Sequence, residues 1–206
     1  MYPRKRQLTG PERKMLKHAE EKPSSRRKFV FDNTIVCRLS SFRCTAKTRE
    51  GRRCKRRVVI GLPKCNQHLR RDHGVEIKSQ GSMGKGLFAA RDLNKPFRIT
   101  YGGELRNANQ FNAVYDEDDT APYAIGLNAS TTLDAACQRW VGSLLNHTTR
   151  AQANMKLVVP TSGPKRTTKT AKAFLELTKP VKKGTALMWN YGDQYKFDGS
   201  KKHRTT

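Results

Sequence analysis

Two groups of residues in this chain have types and spacings that could do chemistry, and the first is a set of metal ligands. Between positions 44 and 68 stand Cys44, Cys54, Cys65 and His68. The closing Cys-x2-His pair puts two ligands on one turn or short helix, and Gly51 and the 61–63 Gly-Leu-Pro bend bring the other two round. Structural zinc prefers four tetrahedral cysteine and histidine ligands. Because so short a piece has little core of its own, the spacing predicts a zinc ion that holds it folded.

The same stretch resembles small basic zinc modules of the form Cys-Thr-Ala-x-Thr-x-x-Gly-x-x-Cys with a closing Cys-x-x-His. Residues 44 to 54 read Cys-Thr-Ala-Lys-Thr-Arg-Glu-Gly-Arg-Arg-Cys. Such modules occur beside many unrelated domains, so this resemblance implies a metal site and not an activity. Two alternatives stay open: Cys37 could replace one ligand, and the thiols could be unligated in a basic loop.

The second group joins two distant segments. Asn146 and His147 end an apolar run over residues 140–145, and about forty residues later the chain reads Trp189-Asn190-Tyr191-Gly192 after two apolar residues. Strand-like apolar segments that end in Asn-His and in Tyr-Gly predict that both deliver polar atoms to one pocket. Upstream, the glycines of Gly84-Lys85-Gly86 would let the backbone pass close to a ligand. Taken alone, that pair more often marks an ordinary turn.

The elements that must position these residues are mostly short strands. Alternating or apolar runs predict strands over residues 75–77, 97–105, 122–127, 132–135, 156–159, 173–177 and 187–191, with glycine-rich or polar turns between them. Few helical periods occur. The sequence therefore predicts a mainly β fold of small sheets, preceded by the small metal-binding module.

Charge indicates the kind of partner. The chain carries 42 Lys and Arg against 17 Asp and Glu, a net charge of +25, and residues 37–80 hold 13 basic and 3 acidic side chains. Such a surface attracts polyanions without sequence preference, so we expect contact with nucleic acid or nucleosomes. A basic chain can also owe its charge to solubility alone.

No apolar run approaches the ~20 residues of a membrane span, and the N-terminus has no apolar signal-peptide core. We expect no membrane contact and a reducing compartment, in which five cysteines are metal ligands or free thiols rather than disulfides. Two basic clusters in the N-terminal tail, at residues 3–6 and 24–28, could be nuclear-targeting or nucleic-acid-binding patches. We expect the nucleus, or the host nucleus for a viral chain. The sequence predicts a mostly disordered basic tail over 1–36, the zinc module over 37–72, the main domain over 73–195 and a basic C-terminal tail over 196–206.

Four segments in the main domain, taken in order, resemble the SET-domain lysine methyltransferases. They are Gly84-Lys85-Gly86-Leu87-Phe88-Ala89; Tyr101-Gly102-Gly103-Glu104-Leu105; Leu145-Asn146-His147 with Asn154; and Gly184 with residues 187–192. Any one could be chance, but all four stand in family order. The resemblance covers roughly residues 75–195. It implies small β-sheets in which the Asn-His and Tyr-Gly segments form a knot-like crossing, with S-adenosylmethionine as methyl donor.

The resemblance also implies a role for particular residues. The cofactor-binding set would be Gly84, Lys85, Gly86, Tyr123, Asn146, His147 and Tyr191. The glycine segment would offer backbone, and the Asn-His pair would bind the amino-acid and adenine ends. Tyr191 would be the catalytic tyrosine at the methyl-transfer pore, with Tyr101 lining the lysine channel. Trp189 stands where a Phe or Tyr of the family limits how many methyl groups fit. An ordinary structural role is the alternative for each residue.

The chain departs from the family pattern in several places. Ser143 replaces a common Arg, Thr148-Thr149 replace Ser-Cys, and two extra residues precede Asn154. The family's cysteine-rich flanks are absent, so Tyr195 and Phe197 are candidates to wall the site. These departures leave three readings: a histone methyltransferase, a methyltransferase of a non-histone protein, or an inactive SET-fold adaptor that binds nucleic acid. A histone tail and this chain are both basic, so such a substrate would need the nucleosome's DNA or the acidic 116–119 run to bridge them.

Overall fold

The computed structural model describes residues 43–58, 62–115, 121, 123–160 and 173–192, and the backbone of 27–31 and 35–39. The strands are β1 (Arg27–Phe31), β2 (Ile35–Leu39), β3 (Val75–Ser79), β4 (Lys85–Ala89), β5 (Arg98–Tyr101), β6 (Glu104–Asn107), β7 (Ala124–Asn128), β8 (Thr131–Asp134), β9 (Asn146–His147), β10 (Met155–Val158), β11 (Ala173–Leu177) and β12 (Ala186–Trp189). The helices are α1 (Asn66–His73) and α2 (Ala108–Asn112), with 3-10 turns at Gly81–Met83 and Val141–Leu144. The mainly β fold predicted from the sequence is confirmed.

A seven-stranded sheet forms the centre of the fold. Its order is β3-β4-β12-β10-β11-β5, and β9 pairs with β12 off this path. Burial alternates along the strands as their period of two requires. In β11, for example, Ala173, Leu175 and Leu177 are fully buried, whereas Phe174 and Glu176 are only partly so. Each fully buried leucine contributes about 1.5–3 kcal/mol of transfer free energy, so this face anchors the sheet on the core.

A separate three-stranded sheet has the order β6-β8-β7. β7 and β8, which correspond to the strands predicted over 122–127 and 132–135, form an antiparallel pair with Ile125 opposite Leu133. Helix α2 follows β6 directly and begins with a capping box, in which the Asn107 and Gln110 side chains each accept from the other residue's backbone N–H. This short helix was not predicted, because a single turn has no apolar period to reveal it.

The predicted knot-like crossing lies in the central sheet. β9 and β10 are the two ends of one loop, and both run parallel to β12, with His147 and Met155 each opposite Trp189. The Asn154 backbone donates to Met188 O at 3.2 Å, and Thr148 donates to Trp189 O at 3.0 Å. β12 therefore passes between the two ends of a loop formed earlier in the chain. This arrangement is consistent with the SET-like fold that the sequence resemblance implied.

Helix α1 joins the metal-binding stretch to the edge of the central sheet. The Asn66 side chain accepts from the Ile77 backbone N–H at 2.7 Å and faces the Ile77 carbonyl at 3.4 Å. Leu62 and Leu69 are buried and belong to the same apolar cluster as the sheet. The helix ends at Gly74, whose left-handed φ of 66° closes it. The stretch that carries the ligands thus shares its core with the sheet.

Two local features differ from the sequence analysis. Residues 141–144 form a buried 3-10 turn rather than a strand, packed so closely on β5 that a Cβ on Gly142 would lie 2.7 Å from Thr100 O. β1 and β2 pair antiparallel across the boundary proposed at residue 36.

Several predicted features lie outside the described residues. They are the rest of the N-terminal tail, the 116–119 run, the C-terminal tail with Tyr195 and Phe197, and the Cys37 side chain. Within the described chain, no helix is long and apolar enough to span a membrane.

Candidate functional site

The four predicted metal ligands come together in one buried cluster. The Sγ atoms of Cys44, Cys54 and Cys65 and a ring nitrogen of His68 all lie within 4.8 Å of one another. His68 Nδ1 is 3.3 Å from both Cys44 Sγ and Cys65 Sγ. Zinc–sulfur bonds near 2.3 Å and zinc–nitrogen bonds near 2.0 Å give tetrahedral edges of about 3.5–3.8 Å. The cluster is therefore a Cys3His group compatible with zinc binding.

Two local structures supply the ligands. A distorted hairpin carries Cys44 and Cys54 on its two arms, since Cys44 N–H donates to Arg56 O and Cys54 N–H donates to Ala46 O, each at 2.9 Å. Gly51, with φ of 76°, closes the turn. Cys65 is the N-cap residue of α1, and His68 lies one turn later. Cys65 and His68 thus lie on one helical turn, as their spacing predicted, and Gly51 supplies one of the expected bends; the hairpin itself was not predicted.

Backbone N–H groups point at the sulfur atoms, as they do around thiolate ligands. Cys65 N–H donates to Cys44 Sγ at 3.3 Å and Arg56 N–H to Cys54 Sγ at 3.4 Å. Burial acts to raise the pKa of the Cys44 thiol, but hydrogen bonds, chiefly from the backbone of Cys65 and Ala46, together lower it. Burial raises the pKa of Cys65, and the neighbouring Cys44 and Cys54 sulfurs add to the rise.

Cys44, Cys54 and Cys65 are free thiols, as expected. The same expectation is wrong for Cys137, which is disulfide-bonded, because spacing does not reveal which thiols meet.

The crossing brings the second group of residues together. Asn146 Nδ2 donates to Lys85 O at 3.3 Å, which joins the Asn-His strand to the Gly84-Lys85-Gly86 segment. Tyr191 N–H donates to His147 Nδ1 at 3.1 Å, and the Tyr191 hydroxyl donates to Leu145 O at 2.7 Å. The predicted cofactor segments are therefore neighbours in space, although more than a hundred residues separate Lys85 from Tyr191.

An aromatic layer beside this crossing is formed by the rings of Trp189, Tyr191 and His147. The rings of Trp189 and Tyr191 are 5.0 Å apart, and those of His147 and Tyr191 meet edge-on at 5.2 Å. Buried Tyr101 donates its hydroxyl to Tyr123 O at 2.8 Å. Burial raises the pKa of Tyr101 well above its ordinary value, with the neighbouring Tyr191 adding to the rise. The phenol therefore stays neutral at physiological pH.

Trp189 has an unusual polar atom. The side chain is buried, and within the described structure its indole Nε1–H finds no hydrogen-bond acceptor. Buried donors are usually satisfied, so one that is not calls for an explanation. The indole stands against Tyr191, at the position where the resemblance places the control of product methylation.

Sequence reasoning missed two residues that shape this region. Gln80 Oε1 accepts from Asn146 Nδ2 at 2.8 Å, and Gln80 Nε2 lies 3.2 Å from Met188 Sδ. A Cβ on Gly86 would fall 2.0 Å from Gln80 Oε1, so the glycine is required for this contact. The guanidinium of Arg139 lies 4.1 Å from the Tyr123 ring centre. Neither residue stands within a motif, and only its place next to the glycine segment could have suggested Gln80.

Ser143 fills the position of the missing family Arg without replacing its charge. It is buried, and its hydroxyl donates to Trp140 O at 2.8 Å within the 3-10 turn. Asn154, the residue that closes the third segment, is also buried. It accepts from Met188 N–H at 2.9 Å and donates to Ala186 O at 2.8 Å, so it holds β12 in the crossing.

Comparison with known proteins gives a limited result. No protein-family model matches the chain, and no curated protein matches it. Among solved structures, 232 chains match. One belongs to the crystal structure of the Chaetomium thermophilum polycomb repressive complex 2, with 27% identity and a TM-score of 0.47. The match covers 59% of this chain and 15% of that chain, so this chain spans a small part of its length.

Proposed function

We propose that this protein is an S-adenosylmethionine-dependent protein lysine methyltransferase. The observation that supports it most is the crossing, where Asn146 binds the Lys85 carbonyl and Tyr191 binds the His147 ring. Three of the four sequence segments that resemble SET-domain methyltransferases meet through these two contacts. Convergence of predicted site residues from distant parts of the chain is the geometric requirement for a site.

The residues present fit the proposed cofactor. Gly84 has a positive φ of 76° and open space where a Cβ would stand, so a ligand can approach its backbone. Within the described chain no hydrogen bond engages Asn146 Oδ1, which leaves an acceptor for the cofactor's amino group. Lys85, Gly86, Tyr123, His147 and Tyr191 would complete the set. When bound, S-adenosylmethionine supplies a methyl group on a positively charged sulfur.

The aromatic layer would prepare the substrate lysine. A lysine amine has a pKa near ~10.4 in water and reacts only after it loses a proton. A channel lined by Tyr101, Trp189 and Tyr191 would lower that pKa by desolvation and orient the amine. Because the Tyr191 hydroxyl hydrogen is committed to Leu145 O, its oxygen would act as an acceptor toward the reacting groups. Neutral Tyr101 adds no charge to the channel.

We further propose that the Cys3His group holds a structural zinc ion. All four ligand positions are taken by protein, which leaves no open position for catalysis. The ion would fix the hairpin against helix α1, and α1 is in turn fastened to β3 through Asn66. Zinc would therefore support the sheet that carries the proposed cofactor segment.

We propose histone tails in nuclear chromatin as the substrate, with nucleic acid or nucleosomes as a binding partner of the basic regions. The net charge of +25 supports this choice, because a chain this basic would concentrate on DNA. A non-histone protein bound to nucleic acid satisfies the same charge argument. The substrate experiment separates the two.

The test is transfer of labelled methyl from S-adenosylmethionine to nucleosomes, free histones and a mixed protein extract. Tyr191→Phe removes the hydroxyl at the proposed pore. Tyr115→Phe is the matched control, because it also loses a hydroxyl hydrogen bond, to Asp134 Oδ2 at 3.0 Å, outside the crossing. We expect Tyr191→Phe to lower the rate by about 100-fold or more, and Tyr115→Phe to keep most of it.

Each outcome of this experiment supports or rejects either the proposed activity or the proposed substrate. Label on a histone that Tyr191→Phe abolishes supports the enzyme and the chromatin substrate. Label confined to the extract keeps the enzyme and moves the substrate to a non-histone protein. Absence of label, together with absence of cofactor binding by calorimetry, would reject methyl transfer and favour an inactive adaptor.

A further inference from the structure

The metal-binding stretch presents a strongly basic surface beside helix α1. Residues 43 to 73 contain eleven Lys and Arg side chains and only two acidic ones, Glu50 and Asp72. An open cleft of about 570 Å³ lies on this surface, lined by Arg56, Asn66, Gln67, Arg70, Arg71 and Ala90. Three of its six lining side chains carry a guanidinium group. The cleft is separate from the crossing and from the buried ligand cluster.

The structure holds each of these arginines in place without burying it. The Arg56 backbone is bonded on both sides to the cluster, to Cys54 Sγ and to the Cys44 N–H. Arg71 Nη1 donates to Lys47 O at 3.2 Å, which links α1 to the hairpin. The Arg70 and Arg71 side chains are 54% and 44% exposed. Arg56 and Arg71 are thus fixed near the ligand cluster by their hydrogen bonds, and the ends of Arg70 and Arg71 are open to solvent.

The nearby carboxylates do not neutralise this surface. Asp72 pairs with both Lys64 and Arg71, at 2.9 and 2.6 Å. Glu76 likewise pairs with both Arg70 and Lys78. Each acid is shared by two cations, and Arg56 has no acidic partner among the described residues. A net positive charge therefore remains at the cleft and would attract an anionic ligand.

We propose that this cleft binds the sugar-phosphate backbone of duplex DNA. Guanidinium groups bind phosphate oxygens in pairs of parallel hydrogen bonds, which suits three arginines around one cleft. Proteins that hold single strands add aromatic side chains on which bases stack. Residues 43 to 73 contain no Phe, Tyr or Trp, which favours a duplex, whose bases are already stacked. This inference deepens the nucleic-acid contact proposed above and does not depend on methyl transfer.

The position of the cleft gives the contact a consequence. Asn66 lines the cleft and also bonds to Ile77 of β3, whose neighbour β4 carries the glycine segment of the crossing. A DNA duplex bound in this cleft would hold the proteins attached to that DNA at one fixed side of the central sheet. The cluster also shapes the cleft through Arg56, so removal of the metal should weaken DNA binding.

The experiment measures fluorescence anisotropy of a short labelled duplex with the zinc-loaded full chain at several salt concentrations. The test variant is Arg56→Gln/Arg70→Gln/Arg71→Gln. The control variant is Arg98→Gln/Lys156→Gln/Lys179→Gln. It also removes three positive charges, but these lie toward the β5 edge of the central sheet, opposite the β3 edge. We expect the test variant to bind about tenfold more weakly or worse, and its salt slope to fall by roughly two to three, since each phosphate contact contributes about 0.9. The control should lose less than about threefold.

Zinc content, measured on both variants, establishes that neither has lost the cluster. Equal loss of affinity in the two variants would overturn the inference, because binding would then follow total charge. Tighter binding of a single strand than of the duplex would overturn it as well. Wild-type chain that binds DNA but transfers no methyl group would leave this inference standing and reject only the proposed enzyme.

Discussion

The backbone N–H of Tyr191 donates to Nδ1 of His147 over 3.1 Å, which ties the end of the described chain to the Asn-His strand. An imidazole nitrogen that accepts a hydrogen bond carries no proton, so the neutral ring holds its proton on Nε2. Burial lowers the pKa of His147, which keeps this tautomer at neutral pH. This hydrogen bond thus holds the His147 ring against the Tyr191 backbone, while the Tyr191 side chain is held by its own hydrogen bond to Leu145 O.

This relationship predicts a pH-dependent stability. Because the folded pKa of His147 lies below its ordinary 6.5, the folded state binds fewer protons than the unfolded state as the pH falls through that value. The contribution of His147 is therefore complete above about pH 6.5 and declines below it. His147→Gln keeps an acceptor but cannot titrate. We expect the difference in unfolding free energy between wild type and variant to shrink from pH 7.5 to about pH 5.5. Urea unfolding at each pH measures it, and parallel curves would contradict the assignment.

The sequence predicted those parts of the fold and site that depend on local patterns. Period-two apolar runs located most strands, and the spacing of Cys65 and His68 indicated the turn that brings them together. Contacts between distant residues left no such pattern. Gln80 reaches Asn146 only through the folding of the sheet, and Leu69 joins the central core although its helix belongs to the ligand-bearing stretch. The 3-10 turn at Val141–Leu144 was also missed, since a short segment with apolar residues at both ends fits a strand equally well.

Asn154 should be the side chain on which the crossing depends most. It satisfies the Met188 N–H and the Ala186 carbonyl from a buried position. Asn154→Ala would leave both backbone groups of β12 without partners, at a cost of about 2–4 kcal/mol. The control is Asn128→Ala at the exposed last residue of β7, whose side chain accepts from the Ser130 backbone N–H; it should cost less than about 1 kcal/mol. Denaturant unfolding compares them, and equal losses would argue against this role.

Metal binding should distinguish the two histidines of helix α1. His68 lies in the buried cluster, whereas His73 is exposed in the last turn. We expect purified wild type and His73→Ala to retain about one equivalent of zinc, and His68→Ala to lose it. Because Leu62 and Leu69 share the core of the sheet, loss of the metal should also lower the melting temperature of the sheet. If chelation left that temperature unchanged, the stretch would be energetically independent of the sheet.

Two glycines offer a test of how closely neighbouring segments pack in and beside the three-stranded sheet. A Cβ on Gly103 would lie 2.4 Å from the Asp134 carbonyl oxygen, a backbone atom that cannot move aside cheaply. Gly126, in β7, has open space at the same position. Gly103→Ala should therefore destabilise the chain by about 1–3 kcal/mol, while Gly126→Ala should be neutral or slightly stabilising. Thermal unfolding of the two variants checks this, and a tolerated Gly103→Ala would show that the two segments can separate.

Trp189 should limit the number of methyl groups transferred, if the proposed activity is correct. Its buried indole packs 5.0 Å from the Tyr191 ring and fills space that a smaller side chain would leave open. A substituted amine needs more room than a primary one, so wild type should yield mainly monomethyl-lysine. Trp189→Phe removes the larger ring together with the unpartnered Nε1–H, and its products should shift toward di- and trimethyl-lysine. Mass spectrometry of a lysine peptide reads the distribution directly. Abundant trimethyl-lysine from the wild type would show that the indole does not restrict the channel, whereas an unchanged distribution in the variant would place that restriction on another residue.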